Sequence, residues 1–522
     1  MVNKLASAAG VGKVAAPPPR PARTTPVDVG ALAAAAGARL TGTTDALVTG
    51  VTLRAQHVLG GDLFAALPGA NVHGGKFSDA AHRGGAAAIL TDPAGAVLEE
   101  VTGTGLPVLV HEDPRAVLGE LAAQVYGNPS EHLAVLGVTG TSGKTTTSYL
   151  VQAGLAAAGR TTGLVGTVET RVAGERLPSA FTTPEAPDMQ ALLAVMVERG
   201  VTDVAMEVSS HSLVMHRVGG IRFAVGAFSN LSQDHLDFHR DMEDYFQAKA
   251  KLFDGRSGTE IVNVDGEWGR RLVRSGTITV RSTEDGPDAL WSASRVRSLP
   301  DGGQSFIAHG PLVDFEVALR LPGSYNVANA ILAAAVLYSA GVPVGDIAHG
   351  LSSVDVPGRM ERVDAGQSFT AVVDYSHKPA AVEFAIGAVR TQLERSGSGG
   401  RIIVVLGCGG DRDRGKRPQM GAVAARMADV LVVTDDNPRS EDPSTIRKAM
   451  LEGAYAVPEG ERGEVLEIGD RRAAITEAVS RAGERDVLVV AGKGHETGQE
   501  IEGVVHPFSD RDELEAAIRR AQ

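Results

Sequence analysis

The stretch that decides the fold is Leu133–Val138 followed by Thr139-Gly140-Thr141-Ser142-Gly143-Lys144-Thr145-Thr146. A short apolar run is typical of a buried parallel strand, and a helical pattern follows from Lys144 to Ala158. Glycines in the intervening turn let backbone N–H groups converge on phosphate oxygens, with a helix N-terminus behind them. The stretch therefore predicts a strand, a phosphate-binding loop and a helix.

The chemistry of this loop points to a nucleoside triphosphate. Lys144 is placed to reach the β- and γ-phosphates, and the Thr145 hydroxyl to ligate Mg²⁺. The strict G-x-x-x-x-G-K-[ST] pattern is not met, because Val138 stands at its first glycine. The alternative is a glycine-rich turn that contains Lys-Thr by chance. The predicted nucleotide-binding residues of the loop are Gly140, Thr141, Ser142, Gly143, Lys144, Thr145 and Thr146.

Downstream of residue 357, apolar runs alternate with helical patterns. The runs Ile402–Gly407, Val430–Thr434 and Val487–Ala491 predict strands, and Pro379–Glu394 and Arg471–Arg481 predict helices. Strict alternation favours a parallel sheet covered on both faces, with ligands bound beyond the carboxyl ends of the strands. The loops after these strands are where chemistry is expected.

The chain length requires several domains, because 522 residues exceed what one core supports. We predict an α/β protein of three domains, in which a P-loop mononucleotide-binding α/β domain is central and a Rossmann-like parallel-sheet domain is C-terminal. The predicted segments are a disordered tail at 1–25, a first domain at 26–131, the central domain at 132–356 and the C-terminal domain at 357–522.

Composition limits the partners and the compartment. Fifty Lys and Arg against 63 Asp and Glu give a net charge of −13, which argues against a nucleic-acid-binding surface. A single cysteine cannot form an internal disulfide, which suits a reducing compartment. The sequence has no apolar run long enough for a signal peptide or a membrane span. We expect a cytoplasmic monomer without nucleic-acid or membrane partners.

A series of motifs then resembles the Mur ligase family. The resemblance spans Asp62 to Asp510 and implies an ATP-dependent amide ligase of peptidoglycan precursor synthesis, working through an acyl phosphate. The segments that carry it, in family order, are the T-G-T-x-G-K-T loop, Thr182–Glu185, Met206–His211, Asn230–Asp237, Ala248–Phe253, Leu321–Asn329 and Gly358–Glu361.

The resemblance implies a magnesium site, with two ions expected. Glu207 at a strand end joins Thr145 on one ion, and His235 is a ligand of the second. Lys249 matches a family lysine that carries a carbamate, which turns a cation into an oxygen ligand. The alternatives are a surface carboxylate for Glu207, a structural histidine for His235 and an exposed helix lysine for Lys249. With Lys144, these residues form the expected catalytic set.

Further nucleotide contacts are implied in the second half of the chain. The resemblance assigns Asn329 to the adenine and Arg359 to the nucleotide, and it places Asp374 of Asp374-Tyr375-Ser376-His377 in the same cleft. For Asn326, three residues before Asn329, helix capping is an equally good interpretation.

The resemblance implies that the motif Asp436-Asn437-Pro438-Arg439 selects the amino acid that is added. Within the family it accompanies meso-diaminopimelate, whose second carboxylate a guanidinium can hold in bidentate geometry. Lysine would leave that arginine unpaired, at a cost of a few kcal/mol. The predicted amino-acid-binding residues are Arg412, Asp436, Asn437, Arg439, Gly492 and Glu496.

The second substrate implied is UDP-N-acetylmuramoyl-L-alanyl-D-glutamate. By resemblance, its peptide part meets Thr182, Thr183, Ser209 and Arg217, with His211 equally able to be a structural residue. For the uridine end, the first domain offers Leu53 and Arg54, where Thr52-Leu53-Arg54 replaces the family's D-S-R.

Three alternatives remain open from the sequence. A different Mur ligase or a folate polyglutamate ligase would not need Asp436–Arg439 together with the first domain. A P-loop ATPase that drives a partner would not need Arg412, Arg439 and Glu496 together. An inactive nucleotide-binding scaffold would not keep Lys144, Thr145, Glu207 and Lys249.

Overall fold

The structure, a computed structural model, divides into two compact units. One comprises Met1–Ser292 and Ile331–Gly350, and the other comprises Ala293–Ala330 and Leu351–Gln522. The residues that it describes are 19–177, 183–236, 238–299, 302–397 and 399–522.

The amino-terminal part of the first unit is built around a five-stranded sheet, ordered β2-β7-β6-β5-β4. Its elements are β1 (Val27–Asp28), α1 (Val29–Ala36), β2 (Arg39–Thr41), β3 (Leu47–Val48), β4 (Gly50–Thr52), β5 (Asp62–Ala65), α2 (Ser78–Arg83), β6 (Ala88–Thr91), α3 (Glu99–Thr102), β7 (Val108–Val110) and α4 (Pro114–Val125). Strands β4 to β7 are parallel, and β2 is antiparallel to β7. Separate apolar clusters around Leu32 and Ile89 form its cores.

The remainder of the first unit contains the predicted phosphate loop. Its elements are β8 (Ala134–Thr139), α5 (Lys144–Ala157), β9 (Thr162–Val165), β10 (Thr170–Val172), β11 (Glu175–Leu177), α6 (Ala186–Glu198), β12 (Asp203–Glu207), α7 (Ser210–Val214), β13 (Phe223–Phe228), α8 (Met242–Ala250), β14 (Ser257–Asn263), α9 (Glu267–Arg270), β15 (Ile278–Arg281) and the start of β16 (Trp291–Ser298). The strand order here is β11-β10-β9-β12-β8-β13-β14-β15.

The position of β8 in this sheet builds the site. It lies between two parallel neighbours, with Val138 level with Glu207 on β12 and with Ala227 on β13. Since parallel strands end at the same edge, the phosphate loop, Glu207 and the residues after Phe228 are brought side by side.

The second unit holds a hairpin and a six-stranded sheet. The hairpin follows the end of β16 and consists of β17 (Gln304–Gly310) and β18 (Val313–Leu319). Two helices, α10 (Ser324–Ser339) and α11 (Val344–Ser352), have residues in both units. The remaining elements are β19 (Glu361–Arg362), β20 (Thr370–Asp374), α12 (Pro379–Ser396), β21 (Ile402–Leu406), α13 (Lys416–Met427), β22 (Val430–Val433), α14 (Pro443–Ala456), β23 (Glu464–Glu467), α15 (Arg471–Arg481), β24 (Val487–Ala491), β25 (Gly498–Ile501), β26 (Val504–Pro507) and α16 (Asp510–Ala521).

The six-stranded sheet has the order β19-β20-β24-β21-β22-β23, and all its strands except β19 are parallel. One apolar cluster includes residues of α12, α13 and α14, and a second includes residues of α15 and α16, so both faces are covered. The predicted α/β class and this parallel sheet are confirmed. Among the described residues, no helix has the length and apolar character needed to cross a bilayer.

Residues 19–25 differ from the predicted disordered tail. Arg20 Nη1 donates to Asp62 Oδ1 at 2.6 Å, the Ala22 and Arg23 N–H groups donate to Glu198, and Thr24 Oγ1 donates to the Thr49 carbonyl. An ion pair with a buried carboxylate and paired backbone groups fix this stretch. Residues 1–18 lie outside the described residues.

Candidate active site

The phosphate loop takes its shape from two glycines. Gly140 has φ +151° and Gly143, which precedes α5, has φ +87°. A Cβ at Gly140 would lie 1.9 Å from Ser229 Oγ, so a side chain does not fit there. The loop backbone thus leads into the N-terminus of a fourteen-residue helix, where its N–H groups favour an anion.

A second segment, which follows β13, holds this loop from the side. Ser142 N donates to Asn230 Oδ1 at 3.0 Å, while Asn230 Nδ2 and Ser229 Oγ donate to the Ser142 carbonyl at 3.0 and 2.7 Å. Thr141 N donates to the Asn230 carbonyl at 2.9 Å. Sequence reasoning missed these supporting roles, for which the available signal was the family segment Asn230–Asp237.

Two lysines converge on the loop carbonyls. Lys144 Nζ donates to the Gly140 and Thr141 carbonyls at 2.9 and 3.0 Å, and Lys249 Nζ donates to Gly140 at 2.7 Å. Lys249 is 1% exposed and lies 4.6 Å from the centre of the Tyr245 ring. Its burial excludes the alternative that it is an exposed helix lysine.

Glu207 ends β12 and is 1% exposed, which excludes the surface carboxylate alternative. Its Oε1 accepts from Thr167 N at 2.8 Å and its Oε2 from Thr167 Oγ1 at 3.1 Å. A carboxylate offers about four acceptor sites. These two hydrogen bonds therefore orient the carboxylate and occupy only some of its acceptor sites.

His235 lies in a group of aromatic and imidazole rings beside the loop. Its backbone is left-handed, with φ +52°, and its Nε2 lies 3.1 Å from Asp234 Oδ2. The His211 and Tyr245 ring centres lie 4.8 and 6.1 Å from it. Tyr245 OH is 3.2 Å from Thr141 Oγ1, and burial raises the pKa of this tyrosine. His235 is thereby connected to the phosphate loop.

The residues predicted for the peptide substrate are partly brought together. Thr183 Oγ1 donates to the Glu207 carbonyl at 3.4 Å, and Arg217 Nη1 donates to the Thr183 carbonyl at 3.4 Å. Ser209 caps α7 by accepting from Ser212 N at 3.0 Å. Thr182 lies outside the described residues.

The first-domain prediction has the least structural support. Leu53 and Arg54 follow β4 and are half-buried. The backbone N–H of Arg54 donates to Thr52 Oγ1 at 3.2 Å, a local contact two residues away in the chain.

The nucleotide residues predicted in the second unit form two local groups. Asn329 Nδ2 donates to Asn326 Oδ1 at 3.0 Å, and Asn326 Nδ2 donates to the Pro322 carbonyl at 2.7 Å, which fastens the turn before α10. The Arg359 guanidinium lies 4.3 Å from the centre of the Tyr375 ring. Asp374 accepts from Met360 N at 2.7 Å, so it holds the G-R-M-E segment that carries Arg359.

The predicted amino-acid residues converge from the loops after β22 and β24. Asn437 Nδ2 donates to Glu496 Oε2 at 2.8 Å. Gly492 has φ +117°, and a Cβ there would lie 2.7 Å from Asp436 Oδ2. The side chain of Asp436 therefore lies directly against the start of the Gly492 loop.

Arg439 and Arg412 complete this predicted group. Arg439 has a left-handed backbone, with φ +54°, its Nη1 donates to the Gly410 carbonyl at 2.7 Å, and its Nε lies 3.3 Å from Glu500 Oε2. Arg412 is exposed on the loop after β21. Arg439 thus touches both the β21 loop and the β25–β26 hairpin.

Family models match three consecutive regions of the chain. They are described as Mur ligase family, catalytic domain, over 47–126; Mur ligase middle domain, over 138–337; and Mur ligase, glutamate ligase domain, over 358–494.

The chain belongs to the Mur ligase family. It is 52% identical to a UDP-N-acetylmuramoyl-L-alanyl-D-glutamate–2,6-diaminopimelate ligase of Streptomyces avermitilis, over 97% of this chain and 99% of that one. An enzyme of the same name from Corynebacterium glutamicum is 50% identical over 87% of this chain and 89% of that one. A solved structure of a ligase with this name has 29% identity, a TM-score of 0.68 and covers 95% of this chain and 99% of its own.

Two groups in this Mur ligase were missed by sequence reasoning. Lys493 lies fully buried behind Asn437 and Glu496. Glu441 accepts from Arg417 Nη1 and Nη2 at 3.0 and 2.8 Å, and fixes the loop that carries Arg412. Both are charged residues in positions where sequence alone favours solvent exposure.

Proposed function

We propose that this Mur ligase joins meso-diaminopimelate to UDP-N-acetylmuramoyl-L-alanyl-D-glutamate, using ATP and releasing ADP and phosphate. The observation that carries the proposal is the contact of Asn437 with Glu496, next to Arg439, on the loops after two strands of the C-terminal sheet. The relatives at 50–52% identity bear the name of this enzyme.

The reaction needs ATP because a carboxylate is a poor acyl donor. The γ-phosphoryl group is transferred to the D-glutamate carboxylate, and the amine of the diamino acid then displaces phosphate from the acyl phosphate. In this proposal Gly140, Thr141, Ser142, Gly143, Lys144, Thr145 and Thr146 bind the triphosphate. The Lys144 ammonium, now on loop carbonyls, is placed to move onto phosphate oxygens.

Magnesium fits the donor set beside the loop. The hydroxyl of Thr145 and the carboxylate of Glu207 are the hard oxygen donors that Mg²⁺ prefers, and His235 would contribute to a second site. Among the described residues no three His, Cys, Asp or Glu side chains cluster as metal ligands. When bound, the ions neutralise charge between phosphate and carboxylate.

Lys249 is proposed to carry a carbamate on Nζ. Its ammonium is buried at the loop, where a free cation would repel Mg²⁺. After the ammonium loses a proton, the neutral amine can attack CO₂ and lose a second proton, so that a carbamate anion with two acceptor oxygens takes the place of the cation.

The remaining predicted residues are assigned to the parts of the three substrates. Thr182, Thr183, Ser209 and Arg217 would hold the peptide part near the acyl centre, and Leu53 and Arg54 the uridine part. Asn329, Arg359 and Asp374 would hold the nucleotide. Arg439 and Arg412 would take the distal carboxylate of diaminopimelate, with Asp436, Asn437, Gly492 and Glu496 around its ammonium group.

The domain limits are proposed as predicted, at 26–131, 132–356 and 357–522. We propose that the enzyme is cytoplasmic, because a chain with a single cysteine suits a reducing compartment, and that it is a monomer. The net charge of −13 argues against nucleic acid as a partner on electrostatic grounds.

The deciding experiment is a coupled ADP-release assay with the nucleotide-sugar dipeptide present. ADP release is expected with meso-diaminopimelate and to be far weaker with lysine or with the other diaminopimelate isomers. ADP release without any amino acid would instead favour a P-loop ATPase, and release with lysine would contradict the assigned specificity.

A further inference from the structure

Lys493 is a charged residue with no exposed surface, although it follows a strand end by only two positions. Its Nζ donates to Asn437 Oδ1 at 2.8 Å and lies 3.2 Å from Glu496 Oε2 and 3.7 Å from Asp436 Oδ1. An ammonium is buried only where partners replace its water. Here all three partners are residues of the proposed amino-acid site.

These contacts fix which way the Asn437 amide faces. Asn437 Oδ1 accepts from Lys493 Nζ and also from Glu500 N at 3.0 Å. With two donors on its oxygen, the amide must turn its NH₂ group the other way, and Nδ2 donates to Glu496 Oε2 at 2.8 Å. Lys493 therefore acts on Glu496 twice, directly and through the amide.

Burial separates the two ends of this small network. Glu496 is 32% exposed at its side chain, whereas Lys493 is fully enclosed. Glu496 is the member that an incoming ammonium group can meet, and Lys493 supports it from behind. Both hydrogen bonds to Glu496 go to Oε2, so they set the direction of the carboxylate plane.

We infer that Lys493 is a positioning residue for the diamino acid, which sets the orientation of the Asn437 amide and the Glu496 carboxylate before the ligand arrives. The inference rests on the proposed function and extends it to a residue behind the ligand. Lys493 acts through Asn437 and Glu496, and it does not itself touch the substrate.

An electrostatic role and a positioning role of Lys493 predict opposite effects of its loss on diaminopimelate binding. Removing one positive charge makes the site more negative and would strengthen its attraction for the ligand's ammonium group. Removing the hydrogen bonds leaves Asn437 Oδ1 with one donor and frees the amide and the carboxylate to turn. The positioning role therefore requires weaker diaminopimelate binding, and a purely electrostatic role requires equal or tighter binding.

The test compares Lys493→Met and Lys493→Gln, with the exposed helix residue change Lys448→Met as a matched control. Methionine keeps the length and donates no hydrogen bond, whereas glutamine restores one neutral donor. We expect the KM for diaminopimelate to rise about tenfold in Lys493→Met and about threefold in Lys493→Gln, which corresponds to roughly 1.4 and 0.7 kcal/mol. The KM for ATP and all values for the control should stay as in the wild type.

Three outcomes would overturn the inference in an active enzyme: an unchanged or lower KM for diaminopimelate in both variants, an equal effect of Met and Gln, or an equal rise in the KM for ATP. Thermal melting checks the fold, and if Lys493→Met does not fold, the rise in KM for diaminopimelate alone in Lys493→Gln decides. Wild-type protein that gives no diaminopimelate-dependent ADP release would refute the proposed function and the inference with it.

Discussion

The phosphate loop and the amino-acid site bind charged groups in different ways. The loop is made of consecutive residues, and its binding groups are backbone N–H groups shaped by Gly140 and Gly143. The amino-acid site is made of side chains from separate loops, as in the contact between Asn437 and Glu496, which are 59 residues apart. The groups that bind phosphate are thus neighbours in the chain, whereas the groups that bind the amino acid are distant in the chain and are brought together by the sheet.

The two regions also differ in how their charges are balanced. Lys144 and Lys249 rest on neutral carbonyls of the loop. Arg439 and Lys493 already lie beside the carboxylates of Glu500 and Glu496. A diamino acid must match an existing pattern of opposite charges, which favours selectivity.

The largest expected effect in the phosphate-binding region is at Glu207. Glu207→Ala removes the buried carboxylate that is proposed to hold Mg²⁺, and we expect kcat to fall about 10³-fold, with every amino acid affected alike. Steady-state ADP release measures this, with the exposed Glu175→Ala as control. Retained kcat in the Glu207 variant would remove this residue from the phosphate-transfer chemistry.

Lys249 tests whether the loop region needs a modified side chain. Lys249→Ala should lower kcat about 10²-fold, because it removes the proposed carbamate oxygens. Depleting bicarbonate should lower the activity of the wild type and leave the variant unaffected. Lys251→Ala is the control on the same segment. A wild type indifferent to bicarbonate, or an active Lys249 variant, contradicts the carbamate.

Arg439 tests the amino-acid site, where a substitution should affect diaminopimelate and not ATP. Arg439→Ala should raise the KM for meso-diaminopimelate at least tenfold, about 1.4 kcal/mol, and leave the KM for ATP unchanged, because the guanidinium is proposed to hold only the distal carboxylate. Initial rates at varied diaminopimelate measure it, and Arg426→Ala on the exposed face of α13 is the control. Unchanged kinetics would refute the assignment.

Glu441 gives the smallest effect and concerns stability. Hydrogen bonds from Arg417 lower the pKa of Glu441 to about 2. A carboxylate whose pKa is lower in the folded state stabilises the fold above its unfolded pKa, near 4.3, and this stabilisation is lost as pH falls towards 2. Glu441→Gln should cost about 1 kcal/mol at pH 7, because solvent screens the pair, and clearly less near pH 2, where about half of the Glu441 carboxylates are protonated in the folded state.

Urea unfolding between pH 2 and pH 7 measures this difference, with the exposed Glu459→Gln as control. A difference between wild type and Glu441→Gln that does not shrink as the pH falls would show that the Arg417 pair is not the cause.

Much of the fold was predictable because its signals are local. The apolar runs before residues 140, 407 and 434 form β8, β21 and β22, and the predicted helix Arg471–Arg481 is α15. Other predictions shifted by a few residues, such as the helix predicted at Pro379–Glu394, which is α12 at Pro379–Ser396.

The sequence by itself determined the strand, loop and helix of the phosphate site and the residue types that suit a diamino diacid, because glycine conformation, apolar periodicity and motif chemistry act over a few neighbouring positions. Only the tertiary structure decided that β24 lies between β20 and β21. That order buries Lys493 against Asn437, and the pairing of β13 with β8 in the other sheet packs Asn230 beside the phosphate loop. Contacts of this kind depend on which distant strands become neighbours, and no short stretch of chain encodes that choice.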